Sequence, residues 1–326
     1  MIAVLGGLGA AVAWAISTLC SSRSSRLIEP AAVVAWVLLV GLVVTAPIAL
    51  GEGVPSSLDW SSGGWLALAG VGNVVGLWFT YAALRRGQVA LVAPLVSTEG
   101  AIAAVIALLA GESLAPGVGV TLATIAVGIG LSTVPSMADA EEPDGEAVIA
   151  GGGGDAIRAP AGDGHATSEA ATGDSRSHDL SAAAATRATH AGTVTLAGLA
   201  ALCFGTSLYA TARAGAELPA AWVVLSARVI GAVALALPLA ALGRLHLTRR
   251  IVPLVVASGV CEVLGFFSFT AGSRHGIAIA AVLSSQFASL AGLAAYVLFH
   301  ERLTRIQFAG VCTVIAGVAV LSALRA

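Results

Sequence analysis

The stretch AAVVAWVLLVGLVVTAPIAL, residues 31–50, carries no charged side chain anywhere along its length. A helix of about 20 residues, rising 1.5 Å per residue, spans the roughly 30 Å hydrocarbon core of a bilayer. A segment inside lipid must satisfy its own backbone hydrogen bonds, which an α-helix does. The stretch therefore predicts a transmembrane helix.

Nine further apolar runs of similar length lie before and after this one. The composition agrees, because 57% of residues are hydrophobic, only 10% are charged and the mean hydropathy is +0.93. Soluble domains carry about 25% charged residues, so lipid is the expected solvent for most of the chain. The ten predicted transmembrane helices cover residues 2–20, 31–50, 64–84, 88–110 and 115–134, then 192–210, 220–242, 251–271, 277–299 and 305–324.

Residues 135–191 differ in kind from these runs. They contain no aromatic residue and are rich in Gly, Ala, Asp, Ser and Thr. Such a segment cannot bury enough apolar surface to offset the entropy of an ordered chain. We predict a disordered linker over 135–191, between a first five-helix unit at 1–134 and a second at 192–326.

The two units repeat each other. A shift of 189 residues lays YAALRRG (81–87) on TAGSRHG (270–276), and Glu112 on Glu301. Each of these two glutamates is predicted to cap the helix that follows it. Five is an odd number of crossings, so two such units in one chain have opposite orientations in the membrane. The predicted fold class is an all-α membrane protein with ten transmembrane helices, arranged as two inverted five-helix repeats.

Several short motifs recur in the two halves or lie inside their helices. They are Trp14-Ala15, Phe204-Gly205, Pro94, Glu112-x-Leu114, Glu301-x-Leu303 and Arg228. With these motifs the chain resembles the drug/metabolite transporter superfamily, in its form with two EamA-type repeats. The resemblance covers everything except 135–191. It implies a proton- or gradient-coupled carrier or exporter of small metabolites, often amino acids.

Polar groups within membrane spans are costly and mark candidate functional residues. Glu99 and Glu262 lie in the middle of the fourth and eighth helices, where they could carry a proton or hold a substrate ammonium. Arg228 could hold a substrate carboxylate or neutralise one of the glutamates. The alternative is a buried Arg–Glu pair that only locks helix packing.

Four more residues complete the candidate set. Two are polar groups paired by the repeat shift with other polar groups, and two are aromatic residues deep within spans. They are Asn73, equivalent to Glu262, Ser97, equivalent to Gln286, and the tryptophans Trp14 and Trp36. Gln286 is itself a candidate for the same reason.

Several functions lack their motifs in this sequence. There is no G-x-x-x-x-G-K-[ST], H-E-x-x-H, G-x-S-x-G or C-x-x-C, so neither ATP hydrolysis nor a resident metal or cofactor is predicted, and we expect no enzyme. A net charge of -2 gives no footprint for nucleic acid. The expected partners are a lipid bilayer and a small-molecule substrate, with a homodimer as an open alternative.

We therefore predict a secondary active transporter in the cell membrane that exports small polar metabolites such as amino acids, with proton coupling as one energy source. A passive channel, a membrane-embedded enzyme and a non-transporting scaffold remain as alternatives. The orientation is open. Nine loop arginines lie on the linker side and three on the other, which puts the termini outside, whereas the resemblance implies termini inside.

Overall fold

The computed structural model describes residues 1–25, 27–84, 95–132, 171–287, 289–290, 294 and 305–325. All regular secondary structure in these residues is helical. The helices are α1 (Ile2–Ser25), α2 (Pro30–Glu52), α3 (Trp60–Leu84), α4 (Glu99–Leu109), α5 (Pro116–Ser132), α6 (Ala171–Glu217), α7 (Ala220–Ala241), α8 (Val252–Ser273), α9 (Ile277–Ser284) and α10 (Arg305–Arg325).

The membrane character of the fold is clear from helix length and composition. Within the described ranges, six helices are long and apolar enough to cross a bilayer: Ile2–Ser25, Pro30–Glu52, Trp60–Thr80, Gly192–Glu217, Ala220–Ala241 and Val252–Ser273. Two shorter apolar helices are Glu99–Leu109 and Gly117–Gly128. The all-helical membrane class predicted from the sequence is confirmed.

Glycine lets α1 pack closely against α8. A Cβ atom on Gly6 would collide with the backbone of Gly272, and one on Gly265 would collide with the indole of Trp14. Further along, the hydroxyl of Ser17 meets that of Ser258. Residue numbers rise along α1 as they fall along α8, so the two helices are antiparallel.

The pair α3 and α6 repeats this arrangement. Gly72 lies against the carbonyl of Cys203, Gly76 lies against the ring of Phe204, and Ser207 donates to the carbonyl of Ala69. These helices are therefore also antiparallel. The third helix of the first half, α3, thus packs on the first helix of the second half, α6. In the same way the third helix of the second half, α8, packs on the first helix of the first half, α1.

Several other contacts between the halves join helices in matching places of the two repeats. α2 packs on α7, with Gly41 against the side chain of Arg228, and α5 packs on α10, with Ile125 against Gly317. α4 packs on α9, with Gly100 against Ser285. The whole set of pairs has the pattern of a pseudo-two-fold axis between the halves.

The bundle has two distinct ends. One end, which we call the arginine-rich face, is where α1 ends and α2 and α8 begin, and it carries Arg23, Arg244, Arg249 and Arg250. Glu29 forms an ion pair with Arg244 there. We call the opposite end the terminal face. At the terminal face, α1 begins and α8 ends. There Trp222 donates its indole N–H to the carbonyl of Gly53 at 2.8 Å, which ties the second half to the first.

Glu112 caps a different helix from the one predicted. Its Oε2 accepts a hydrogen bond from the backbone N–H of Ala278 at 3.1 Å, at the start of α9 in the other half. The prediction that it caps the following helix is wrong. The free N–H groups at the start of α9 attract a carboxylate from any element that folds beside them, and sequence adjacency does not decide which one does. Glu301 lies outside the described residues.

The end of the predicted linker is helical rather than disordered. α6 begins at Ala171, so residues 171–191 continue the membrane helix towards the linker. The stretch SAAAATRA (181–188) is rich in alanine, the strongest helix former, and a helix already nucleated by Gly192–Glu217 extends into it at little cost. Residues 133–170 lie outside the described part of the chain.

Three helices of the bundle are irregular. α7 contains a π-helical turn at Ala232–Ala236, immediately before Pro238, whose ring cannot fit a regular helical turn. A turn at 97–98 precedes α4, and a turn at 285–286 follows α9. The repeat shift of 189 residues lays Ser97 of the first turn on Gln286 of the second. Pro94 lies outside the described residues.

Candidate functional site

A cavity of about 420 Å³ lies between the two halves. Both halves contribute to its wall, through α1, α2, α3 and α4 on one side and α6, α7 and α8 on the other. Its lining residues are Trp14, Ser17, Thr18, Ser21, Ser25, Val34, Val37, Leu38, Asn73, Leu77, Thr80, Val96, Glu99, Phe204, Ser207, Leu208, Arg228, Glu262, Phe266 and Phe287.

The cavity runs from the middle of the bundle to the arginine-rich face. Along α1 its lining extends from Trp14 to Ser25, the last residue of the helix, which is roughly 16 Å at the rise of an α-helix. On the terminal side of Trp14 no lining residue belongs to α1. There the close contact of Gly6 with Gly272 fills the space between α1 and α8.

The inner end of the cavity holds two carboxylates and one guanidinium. Arg228 NH2 lies 3.7 Å from Glu262 Oε1, and the guanidinium carbon lies 4.9 Å from the centre of the Phe266 ring. Arg228 is 2% exposed and Glu99 is 8% exposed. Both charged groups are therefore held where few water molecules reach them, while the Glu262 side chain remains 26% exposed.

Arg228 has unused hydrogen-bonding capacity. Its Nε and NH2 atoms are buried and have no hydrogen-bond partner among the described residues. Leaving a buried donor unpaired is costly, more so when the donor is charged. The contact with Glu262 is too long to count as a hydrogen bond, since charged pairs of this kind normally lie at 2.7–2.9 Å. An acceptor entering the cavity would therefore find two donor nitrogens available.

Along α1, hydroxyl groups line the cavity between this charged end and the arginine-rich face. Ser17 donates to Glu262 Oε2 at 3.4 Å and meets the hydroxyl of Ser258 at 2.8 Å. The Ser21 hydroxyl lies 2.7 Å from that of Ser258, so three serines are linked in a chain. Ser25 bonds to the carbonyl of Ser21. These side chains make a polar track along one side of α1.

Five of the eight residues predicted from the sequence line this cavity. They are Trp14, Asn73, Glu99, Arg228 and Glu262. The repeat-equivalent positions Asn73 and Glu262 thus face the same space, as expected from a pseudo-two-fold axis. What these five residues do in function stays a prediction.

The other three predicted residues are not part of the lining. Trp36 points to the arginine-rich face, where its indole N–H donates to the carbonyl of His246 at 3.3 Å. Ser97 and Gln286 are buried at the two equivalent turns, beside α4 and α9. Their positions within the predicted spans indicated how deep these residues lie in the membrane. Those positions did not indicate the direction in which each side chain points.

The serine track was missed by the sequence analysis. Ser17, Ser21 and Ser25 are spaced four residues apart, which places them on one side of a helix. That spacing was visible in the sequence. Serine is common in α1, however, and only the approach of Ser258 from α8 shows that the track belongs to the site.

No set of three or more His, Cys, Asp or Glu side chains suited to a metal ion occurs in the described parts of the chain. The four cysteines are separate free thiols.

The helical bundle and its central charged cavity define a multi-pass membrane protein built from two repeats. The EamA-like transporter family matches this chain twice, over residues 1–134 and 192–323. The chain belongs to this family, and the resemblance inferred from the sequence is confirmed. The family consists of membrane transporters of the drug/metabolite type, not of enzymes.

One solved structure, described as a crystal structure of a protein, is similar to this chain with a TM-score of 0.72. The match covers 99% of this chain and 96% of that chain at 18% sequence identity. At that identity the similarity concerns the fold alone. No curated protein matches the chain.

Proposed function

We propose that the chain is a secondary active transporter that exports small polar metabolites such as amino acids. In this proposal ten helices cross the cell membrane as two inverted repeats, and transport uses alternating access. The observation that carries it is the cavity between the repeats, which places Glu99, Arg228 and Glu262 together at its inner end.

The charges of the cavity favour a zwitterionic or cationic substrate. Arg228 and Glu262 largely neutralise each other, whereas no cation pairs with Glu99 among the residues that the structure describes. A proton or a substrate ammonium group would compensate Glu99. A substrate carboxylate would supply the acceptor that the Nε and NH2 atoms of Arg228 do not find among the described side chains. A free amino acid carries both groups.

The closed terminal face supports a carrier rather than a passive channel. A channel needs a polar path between the two faces, but the cavity lining ends at the depth of Trp14. Beyond it, Gly6 contacts Gly272 and Glu112 bonds to Ala278. Rocking of one repeat against the other would separate these contacts and open the terminal face.

Transport by the purified protein in liposomes tests this proposal. We expect a proton gradient to accelerate the movement of at least one member of a panel of the twenty ¹⁴C-labelled L-amino acids. Equal flux with and without the gradient would favour a channel or a uniporter. No flux of any panel member would favour a non-transporting scaffold or a substrate outside this class. The cell-membrane location and the homodimer stay predictions.

A further inference from the structure

We propose that a chain of three serine hydroxyls, from Ser21 through Ser258 to Ser17, positions Glu262 away from Arg228 and so keeps the guanidinium available to the substrate. We call this set the serine chain. The inference rests on the proposed function and deepens it, because it assigns positioning residues to the same site. None of the three was predicted as a site residue.

The two oxygens of Glu262 are shared between opposite walls of the cavity. Oε1 faces Arg228 NH2 on α7 at 3.7 Å, and Oε2 accepts from Ser17 on α1 at 3.4 Å. Neither contact is short. A carboxylate with freedom to move would close on the guanidinium, since a charged hydrogen bond at 2.7–2.9 Å is much stronger than a separated pair. We assign the restraint that keeps the two groups apart to the α1 side, where Ser17 donates to Oε2.

The serine chain supplies that restraint. Ser17 is held by Ser258 at 2.8 Å between the hydroxyl groups, and Ser258 is held by Ser21 at 2.7 Å. Ser258 also reaches the backbone carbonyl of Ser17 at 3.2 Å. Ser258 is fully buried and Ser17 is 5% exposed, so water competes little for these bonds. The hydroxyl that faces Glu262 is consequently fixed in place.

The consequence appears at Arg228. Because Glu262 stays beyond hydrogen-bond distance, two guanidinium nitrogens at the inner end of the cavity have no hydrogen-bond partner in the part of the chain that the structure describes. Phe266 covers the face of the guanidinium and Gly41 leaves room for its aliphatic stem. The guanidinium is thus fixed in position while its donors remain open, as recognition of a carboxylate requires.

Substitution of Ser17 or Ser258 by alanine tests the positioning role in transport. Each change removes one hydroxyl and should let Glu262 close on Arg228, so we expect KM for the L-amino acid that the wild type moves fastest to rise about tenfold with little change in kcat. Ser17→Thr restores a hydroxyl and should return KM to within about twofold of the wild type.

Ser268→Ala is the matched control. Ser268 also lies on α8 and bonds to α1, through the carbonyl of Gly6 at 3.1 Å, but unlike Ser258 it does not contact Ser17, the hydroxyl that faces Glu262. If Ser268→Ala raises KM as much as Ser258→Ala does, the serines serve only to join the two helices and the proposal fails.

An infrared measurement separates this inference from the transport hypothesis. The carboxylate band of Glu262 is identified in the detergent-solubilised protein by its loss in Glu262→Gln. We expect that band to shift in Ser17→Ala and Ser258→Ala but not in Ser268→Ala. An unmoved band in the first two variants would overturn the positioning role. A shifted band in a protein that moves no substrate would uphold the positioning role and reject the proposed function.

Discussion

At the scale of single residues, Glu99 is the ionisable group of the cavity whose charge is least compensated by its neighbours. It is 8% exposed, lies in the first turn of α4, and has no cation beside it in the described part of the molecule. A buried carboxylate in this situation either holds a proton or waits for a cationic ligand. In either case, binding and release of a proton or cation at the Glu99 carboxylate would be part of the transport cycle.

Glu99→Gln should abolish coupled transport while leaving membrane insertion intact. The amide has nearly the shape of a protonated carboxyl group but can neither release a proton nor balance an ammonium. Proton-driven flux into liposomes is the measurement, and Glu52→Gln, an exposed change at the end of α2, is the control. Coupled flux that survives at wild-type rate and pH dependence would remove the proton role from Glu99.

Arg228→Lys should weaken transport although it preserves the charge. Lysine lacks the planar fork of donors and cannot stack on Phe266 in the way that the guanidinium does. We expect KM to rise about tenfold for a substrate that carries a carboxylate. An amine of similar size without a carboxylate should be affected far less, and equal effects on both would argue against carboxylate recognition by Arg228.

At the scale of helices, close packing of α1 on α8 depends on glycine. Gly6→Ala introduces a Cβ atom that collides with the backbone of Gly272, and we expect it to lower stability by about 2 kcal/mol. Gly198→Ala on α6 meets nothing within 4 Å and should raise stability by up to about 1 kcal/mol through helix propensity. Thermal unfolding in detergent should therefore move in opposite directions for the two variants.

Glu112 joins the two repeats at the terminal face, so its removal should favour separation there. Glu112→Ala loses the hydrogen bond to the N–H of Ala278 and should cost about 1 kcal/mol, as loss of a helix cap does. A cysteine placed at Ala3, which is 5% exposed at the start of α1, should then react faster with a thiol reagent in Glu112→Ala than in the parent protein. Glu52→Ala, which is exposed near the same face, should leave that rate unchanged.

The positions of the helices could be predicted from the sequence because the bilayer requires long apolar runs. Every helix in the described residues overlaps one of the predicted spans. The neighbour that each helix meets could not be predicted this way. Glu112 bonds across the repeats to α9, and α6 extends back to Ala171, because contacts and helix extension depend on packing and nucleation.

The candidate site was predictable to the extent that charge within lipid is rare. Glu99, Arg228 and Glu262 could be picked out because an ionisable group at that depth needs a special environment. Trp36, Ser97 and Gln286 carry no charge, so their depth in the membrane did not require a special environment. They do not line the cavity. Apolar character around the whole circumference of a helix hides which side faces the interior.

At the scale of the whole molecule, the cavity opens at the arginine-rich face, as far as the described residues form its wall. In a protein freed of its own cysteines, Ser25→Cys at the mouth of the cavity should react with a membrane-impermeant thiol reagent added at the arginine-rich face. Ser57→Cys, whose parent side chain bonds to the carbonyl of Glu217 at the terminal face, should react only from the opposite side.

The same pair of cysteines decides the orientation. If Ser25→Cys is labelled from the cytoplasm, the orientation follows the excess of loop arginines on that side, and the termini lie outside. If it is labelled from outside the cell, the family topology holds. Labelling of both positions from one side would contradict the up-and-down arrangement of α1 and α2.

Glu262 lies ten residues from the start of α8 and eleven from its end, close to the middle of the helix. An ion moving from the mouth of the cavity to this depth crosses roughly half of the electric field of an energised membrane. For one elementary charge at 100 mV that is about 1.1 kcal/mol, or a change of about sixfold in occupancy. The occupancy of the site would thus depend on the membrane potential without a separate helix of gating charges. The cause is that an ion must cross part of the field to reach the depth of Glu262.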